Sequence, residues 1–406
     1  MATVVVTRAV RSLTVIPAGV WVLGLVSLLM DLSSEMTHGL LPLYLVSALG
    51  TPILAVGAIE GIAEGATLVV RIFSGALSDW LGKRKLLAVF GYGLAAFTKP
   101  IFPLASTAGW LFAARFVDRI GKGIRGAPRD ALVADLSPAE LRGASFGLRQ
   151  SLDTIGAFAG PLLAIAIMWQ TANNFTAVFW VAVIPAFLSF LLIAFAVREP
   201  QRSANLRKIR NPISRAELSR LSGPYWWLTG ISSAFTLARF SEAFLILKAQ
   251  EAGLPMAFGP AVLVAMNAVY AFSAYPAGVL ADRMDRWTIV TVGIAVLIAA
   301  DLVLACTQGV TGVILGVMIW GLHMGLTQGL LAALVADAAP AELRGTAFGM
   351  FNLSCGVATL LASILAGALW DLAGPQAAFL GGGGFALLAL LGLLAVRNHL
   401  PKIAIA

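Results

Sequence analysis

Apolar residues run along this chain in twelve long stretches, separated by clusters of Gly, Pro and charge: 18–48, 54–80, 86–106, 109–135, 141–169, 174–197, 224–250, 257–282, 287–308, 312–336, 342–371 and 375–397. Each is as long as the ~20 residues a helix needs to cross the hydrocarbon of a bilayer. The pattern therefore predicts an all-α, polytopic membrane protein of twelve spans. Arg8 and Arg11 precede the first stretch, which is longer than the apolar core of a signal peptide and lacks a small-residue cleavage site, so it is expected to stay as a span. An even number of spans puts both termini on one side. Arg8, Arg11, Lys83-Arg84-Lys85, the segment 198–220, Arg397 and Lys402 all fall on that side, while the turns at 49–56 and 106–109 carry no charge. Basic loops stay cytoplasmic, so both termini are expected inside, in a cell (inner or plasma) membrane.

The chain divides at its one long polar segment. Residues 1–197 and 224–406 are expected to form two six-helix bundles joined by a basic linker, 198–223. The bundles repeat each other. ALVADLSPAELRGASFG at 131–147 and ALVADAAPAELRGTAFG at 333–349 share 13 of 17 positions, at an offset of 202 residues (333 minus 131). Gly75-Ala-Leu-Ser-Asp79 matches Gly278-Val-Leu-Ala-Asp282 at an offset of 203 (278 minus 75). An offset of six spans keeps the orientation, so the halves are expected to be related by an axis along the membrane normal.

Composition agrees with the spans. Of 406 residues, 59% are hydrophobic and 12% charged, with mean hydropathy +0.89; soluble domains carry about 25% charged residues. That excludes a water-soluble enzyme. The net charge of +8 is spread as membrane topology, not gathered on a nucleic-acid-binding face. Cys306 and Cys355 stand alone in apolar stretches and form no metal motif. No HExxH spacing is present, and neither an intramembrane enzyme nor a cofactor is expected.

Gly75-Ala-Leu-Ser-Asp79-Trp-Leu-Gly82-Lys83-Arg84-Lys85, between the second and third stretches, resembles the G-x-x-x-D-x-x-G-[RK]-x-[RK] signature of the major facilitator superfamily. Together with twelve spans and a 6+6 repeat, the resemblance covers essentially the whole chain. It implies two pseudo-symmetric bundles and solute transport by alternating access, with a monomer as the working unit. Gly75 would allow close approach of a neighbouring helix, and Asp79 would need a cationic partner. Gly75, Asp79, Lys83, Arg84, Asp135, Arg142, Asp282 and Arg344 are accordingly gating candidates. Gly156-Ala-Phe-Ala-Gly160-Pro161 looks like the G-x-x-x-G-P element associated in this superfamily with antiporter-type exporters; the second half has Ser363 where Pro161 would repeat.

Ionisable residues inside apolar helices mark function, because each needs a partner or water there. Asp31, Glu35 and His38 share one face of the first helix; Glu60, Glu64 and Arg71 share one face of the second. The fourth carries Arg115, Asp118, Arg119, Lys122, Arg125, Arg129 and Asp130, the fifth Arg149 and Asp153, the third Lys99. At an offset of 202, Lys122, Arg125, Arg129, Arg149 and Asp153 become Met324, Thr327, Leu331, Phe351 and Cys355. The fold does not need these charges, since one half manages without them. Only Arg239, Glu242 and Asp301, with Lys248 near an end, are intramembrane in the second half, where His323 reads as packed or cavity-lining.

The sequence thus predicts a secondary transporter, coupled to protons and exporting a small polar or charged organic solute. Its substrate and coupling candidates are Asp31, Glu35, His38, Glu60, Glu64, Arg71, Lys122, Arg125, Arg149, Asp153, Arg239 and Glu242. A carboxylate among Asp31, Glu35 and Asp153 would trade a proton against an arginine that binds substrate. The alternative is export of a divalent metal or metal chelate on the Asp31/Glu35/His38 face, since carboxylate and imidazole suit such ions.

Overall fold

A computed structural model describes residues 16–81, 83–138, 141–199, 218–281, 284–338 and 344–396. The side chains of Asp79, Arg142 and Arg344, and the whole of Asp282, lie outside what is described. The chain is all-helical with twelve spans. Ten contain helices long and apolar enough to cross a membrane. The other two are span 4 (Ala108–Leu136), which is crowded with charge, and span 7, which is interrupted.

Span 1 runs Ala18–His38 and resumes at Leu41–Leu43, with Pro42 in its first turn, before ending as a π-helix over Tyr44–Ala48. Proline suits a helix start, where its missing N–H is not needed. Span 7 runs Gly223–Leu237 and resumes at Ala243–Glu251. Adding the repeat offset of 202 to His38 gives 240, inside the second break, so the interruption repeats with the sequence.

The described residues form two compact units. One takes in span 1 to His38 and the chain from Val70 into the linker; the other takes Gly39–Val69 and the chain beyond the linker. Span 2 (Ile53–Leu81) is one continuous helix whose first part belongs to the second unit and whose last part belongs to the first.

In the first unit, small residues let backbones touch where lipid-like side chains would hold them apart. Span 5 (Arg142–Gln170) lies on span 1 through Gly156, where a Cβ would strike the Leu28 carbonyl, and Gly160, where it would come within 2.8 Å of the Leu32 carbonyl and 2.9 Å of Glu35 Cβ. The G-x-x-x-G pair is therefore the seam that fixes Glu35. Span 3 (Arg84–Thr98) meets span 4 the same way, a Cβ at Gly91 falling 2.7 Å from the Gly121 carbonyl. Span 6 (Phe175–Leu191) is tied to span 1 by hydroxyls: Ser33 donates to the Ala182 carbonyl (2.6 Å) and Ser189 to the Val26 carbonyl (2.7 Å). Around these seams an apolar core gathers Val20, Leu23, Val26, Met30, Tyr92, Leu132 and Ile193.

In the second unit, span 2 packs on span 11 (Arg344–Ala373) through Gly57, Gly61 and Gly65, which face the backbone of Ser363, Leu360 and Gly356. Asp371 completes this contact by accepting hydrogen bonds from the first amides of span 2, Ile53 N (3.2 Å) and Leu54 N (2.8 Å). A carboxylate satisfies orphan N–H groups there and suits the positive end of the helix. Gly321 of span 10 (Val310–Ala338) lies against the Met266 carbonyl of span 8 (Ala261–Ala281).

The seam predicts a position-specific effect. Gly156→Leu should wedge spans 1 and 5 apart, lowering stability by about 1–3 kcal/mol or more. Gly147→Leu, on the same helix with open space around it, should be near neutral. Thermal unfolding of the two variants in detergent, side by side, checks this; equal losses would mean that the close approach is not what the glycine provides.

Candidate functional site

Spans 1, 2, 3, 4 and 5 bring the first-half charges together as one network. Span 4 supplies its axis, because its charges recur at helical spacing and face three neighbours. Lys99 of span 3 pairs with Asp118 at 3.2 Å, both side chains 2% exposed, and lies 3.4 Å from Ser34 Oγ. Arg129 reaches Asp130 (3.1 Å), Asp153 of span 5 (3.7 Å) and Ser27 Oγ of span 1 (3.0 Å). Arg149 lies 3.8 Å from Asp130 and 3.5 Å from Asp153, and donates to Gln150 Oε1 at 2.6 Å. Arg71 lies 3.8 Å from Asp130. Asp31 lies near Asp153, with Lys122 and Arg125 among the charges acting on it. Arg115 and Arg119 are buried and engaged.

Two cations stand apart. Neither Lys122 nor Arg125 has a carboxylate oxygen within 4 Å among the described residues. Lys122 is exposed midway along span 4. Arg125 is 3% exposed, with its guanidinium 4.9 Å from the Tyr92 ring centroid and its Nη1 without a hydrogen-bond partner among the described residues. The Gly91–Gly121 contact puts it there: a Cβ at Gly91 would fall 2.8 Å from Arg125 Cβ. The cation–π contact offsets part of the burial but leaves N–H groups free to donate.

Several candidates are grouped otherwise than the helix faces suggested. Glu60 and Glu64 belong to the second unit, so the Glu60/Glu64/Arg71 face is divided, with Arg71 alone joining the network. His38 approaches Glu35 at 3.6 Å. Among the described residues no group of three or more His, Cys, Asp or Glu side chains is placed to hold a metal ion. The Asp31/Glu35/His38 triplet does not converge, because Asp31 turns to Asp153 instead. Gly75 would place a Cβ 3.5 Å from Ala127 Cβ, an ordinary contact, so spans 2 and 4 are closest elsewhere: Ser74 donates to the Gly123 carbonyl at 3.0 Å. Arg84 and Asp135 do meet, at 2.6 Å, and Arg84 also donates to the Ala131 carbonyl. Lys83 is exposed beside them. Glu199, at the linker's start, accepts from the amides of Arg84 (2.6 Å) and Lys85 (3.3 Å), a contact that spacing within the motif could not reveal. In the second unit, Arg239 lies 5.6 Å from the Phe235 ring centroid, and Glu242 begins the second segment of span 7.

Comparison with known proteins agrees with this architecture. The family profile described as Major Facilitator Superfamily matches residues 23–362 and 262–404. An uncharacterised MFS-type transporter of Methanocaldococcus jannaschii is 32% identical over 383 residues, covering 92% of this chain and 94% of its own length. The inner membrane transport protein YajR of Escherichia coli is 25% identical over 379 residues, covering 89% of this chain and 79% of its own. Among solved structures, the peptide transporter POT superposes with TM-score 0.79 at 16% identity, covering 94% of this chain and 95% of its own. The human organic anion transporter MFSD10 gives 0.65 at 19% identity, covering 92% and 98%. At these identities the structural likeness concerns the fold alone.

The Lys99–Asp118 pair yields a test by double substitution. Lys99→Met alone should destabilise by up to ~3 kcal/mol, because it leaves a buried carboxylate short of its nearest cation. The low end of that range applies, since Arg115 and Arg119 also act on Asp118. Lys99→Met with Asp118→Leu should recover most of the loss in thermal unfolding; equal or greater loss in the double variant would show that the pair is not an isolated unit.

Proposed function

The chain belongs to the major facilitator superfamily, and we propose that within it this protein is a proton-coupled exporter of a small organic solute bearing a carboxylate, phosphate or similar anionic group. It is a membrane transporter. The observation that carries the finer reading is the pair of uncommitted cations, Lys122 and Arg125, in a network whose other described cations are engaged. Cations deep in a membrane protein are costly unless something neutralises them, and a transported anion would do so on each cycle.

The coupling follows from the neighbouring acids. Two carboxyl groups that share a hydrogen bond hold one proton between them, since two charged carboxylates repel. We assign that role to Asp31 and Asp153, neighbouring acids of spans 1 and 5. With the proton bound, the pair carries one negative charge instead of two, which leaves more of the field of Lys122 and Arg125 for an incoming anion. With the proton lost, the pair competes for the same cations and the anion is released. Binding of proton and anion then reinforce each other, as linkage requires. That sign carries proton and solute together on the same stroke, so export runs down the solute's own gradient and takes a proton out with it. The resemblance of Gly156–Pro161 to an exporter element supports the outward direction. Residues 1–197 and 224–406 act as the two moving halves of a monomer in the inner or plasma membrane, with termini and linker in the cytoplasm, as the basic loops support.

Proteoliposomes loaded with a pH-sensitive dye and given a panel of small carboxylates and phosphates test this. Asp31→Asn and Asp153→Asn should abolish solute-dependent proton movement while solute–solute exchange persists. Arg125→Ala should weaken half-saturation about tenfold, as expected for losing one charge-assisted hydrogen bond. Normal proton-driven transport in both Asp variants would overturn the coupling assignment. Separately, Asn205→Cys in the linker should resist impermeant maleimide applied to intact cells; labelling there would reverse the orientation.

A further inference from the structure

The second unit, poor in charge, buries one carboxylate that the network above does not use. Asp301 lies on span 9 (Arg286–Cys306), is 0% exposed, and neither of its oxygens has a hydrogen-bond partner among the described residues. No cation stands within 4 Å of it there. The helices around it explain why. Span 12 (Pro375–Val396) contains no ionisable residue, and span 8 offers only tyrosines. Span 10 offers His323, itself 0% exposed with both ring nitrogens unpartnered; its one acid, Asp337, falls in the last turn of the helix. From span 7 come Arg239 and Glu242 at the break and Lys248 beyond it.

Asp301 shares its surroundings with another acceptor. Span 12 has glycine at 381–384, and the point that a Cβ on Gly382 would occupy lies 3.2 Å from Asp301 Oδ2, 3.3 Å from the Ala238 carbonyl oxygen and 2.9 Å from Phe240 Cε1. Ala238 ends the first segment of span 7, where helical carbonyls lose their intrahelical donors. A charged carboxylate would there stand out of water in the neighbourhood of a carbonyl oxygen, with no donor to either of its oxygens among the described residues. Each unsatisfied buried polar group costs several kcal/mol in such a medium. A proton on Asp301 removes the charge. Phe240 covers the place and joins an aromatic cluster, with ring centroids 5.4 Å from Trp320 and from Phe379; Trp320 in turn stands 5.4 Å from His323.

We propose that Asp301 is a proton-binding site of the second unit, separate from the first-unit network, and that the interrupted segment of span 7, with Phe240 over the carboxyl, governs exchange of that proton with water. The site stands on its own geometry. Its use as a second coupling site rests on the transport reading.

Infrared difference spectroscopy on the full chain in lipid, titrated with pH, reads the site directly and needs no solute. The carbonyl stretch of a protonated carboxyl should be present near neutral pH, should disappear reversibly on alkaline titration, and should lose one component completely in Asp301→Asn. Asp31→Asn and Asp153→Asn should remove a different component, so either assignment can fail without the other. Phe240→Ala should speed the deuterium shift of the Asp301 component. If Asp301→Asn fails to fold, Asp301→Glu, which keeps the acid, should displace that component. A spectrum unchanged by both Asp301 variants overturns the proposal. So does an Asp301 component that does not titrate, which would mark a permanently neutral structural acid.

Discussion

A charge placed in hydrocarbon must find its opposite, and the first unit is organised around that demand. Span 4 carries so many ionisable groups that it could not stand alone in lipid. It becomes tolerable because Lys99 arrives from span 3, Asp153 and Arg149 from span 5, and Arg71 from span 2. Each partner needs its helix at one depth and one rotation. The glycine seams at Gly91–Gly121 and Gly156–Gly160 bring the backbones near enough to meet that condition. Apolar packing alone would leave helices free to slide, since lipid tails are as apolar as leucine; the ion pairs remove that freedom.

The two halves fill one architecture differently. Where the first has Lys122, Arg125, Arg149 and Asp153, the second has Met324, Thr327, Phe351 and Cys355, and its interior around the span 7 break is aromatic: Phe240, Phe244, Trp320, Trp370 and Phe379 stack edge to face or tilted. Aromatic rings fill volume without needing counter-charges, so this half tolerates its few ionisable groups one at a time. The specificity of the molecule is concentrated in the half where mispairing would be most costly.

Much of this was legible in the residues. Apolar stretches gave the spans, and the 202-residue offset gave the repeat. Helical spacing correctly put span 4's charges on faces, but a face does not name its neighbour. Arg125, expected opposite a carboxylate, stacks on Tyr92 instead, because Gly91 brings span 3 there. Glu60, Glu64 and Arg71 share a stripe, yet span 2 passes from one unit to the other between Val69 and Val70 and divides them. The break in span 1 falls beside Gly39 and Pro42, inside a stretch, 18–48, that the hydrophobic pattern reads as continuous. The matching break in span 7, at Ala238-Arg239-Phe240-Ser241-Glu242, contains neither breaker and had no local signal beyond its place in the repeat.

That crossing of span 2 has a bearing on biogenesis. Gly57, Gly61 and Gly65 find their backbone partners on span 11, and the amides of Ile53 and Leu54 find theirs in Asp371, more than 300 residues downstream. A nascent chain leaving the ribosome makes spans 2 to 6 before any of these partners exists. The first half must therefore wait in lipid with a bare glycine groove and an uncapped helix start until span 11 is inserted. A chain truncated before that point lacks the partners of Gly57, Gly61, Gly65 and the first amides of span 2, so the closing contacts of an early helix are held in the last third of the polypeptide.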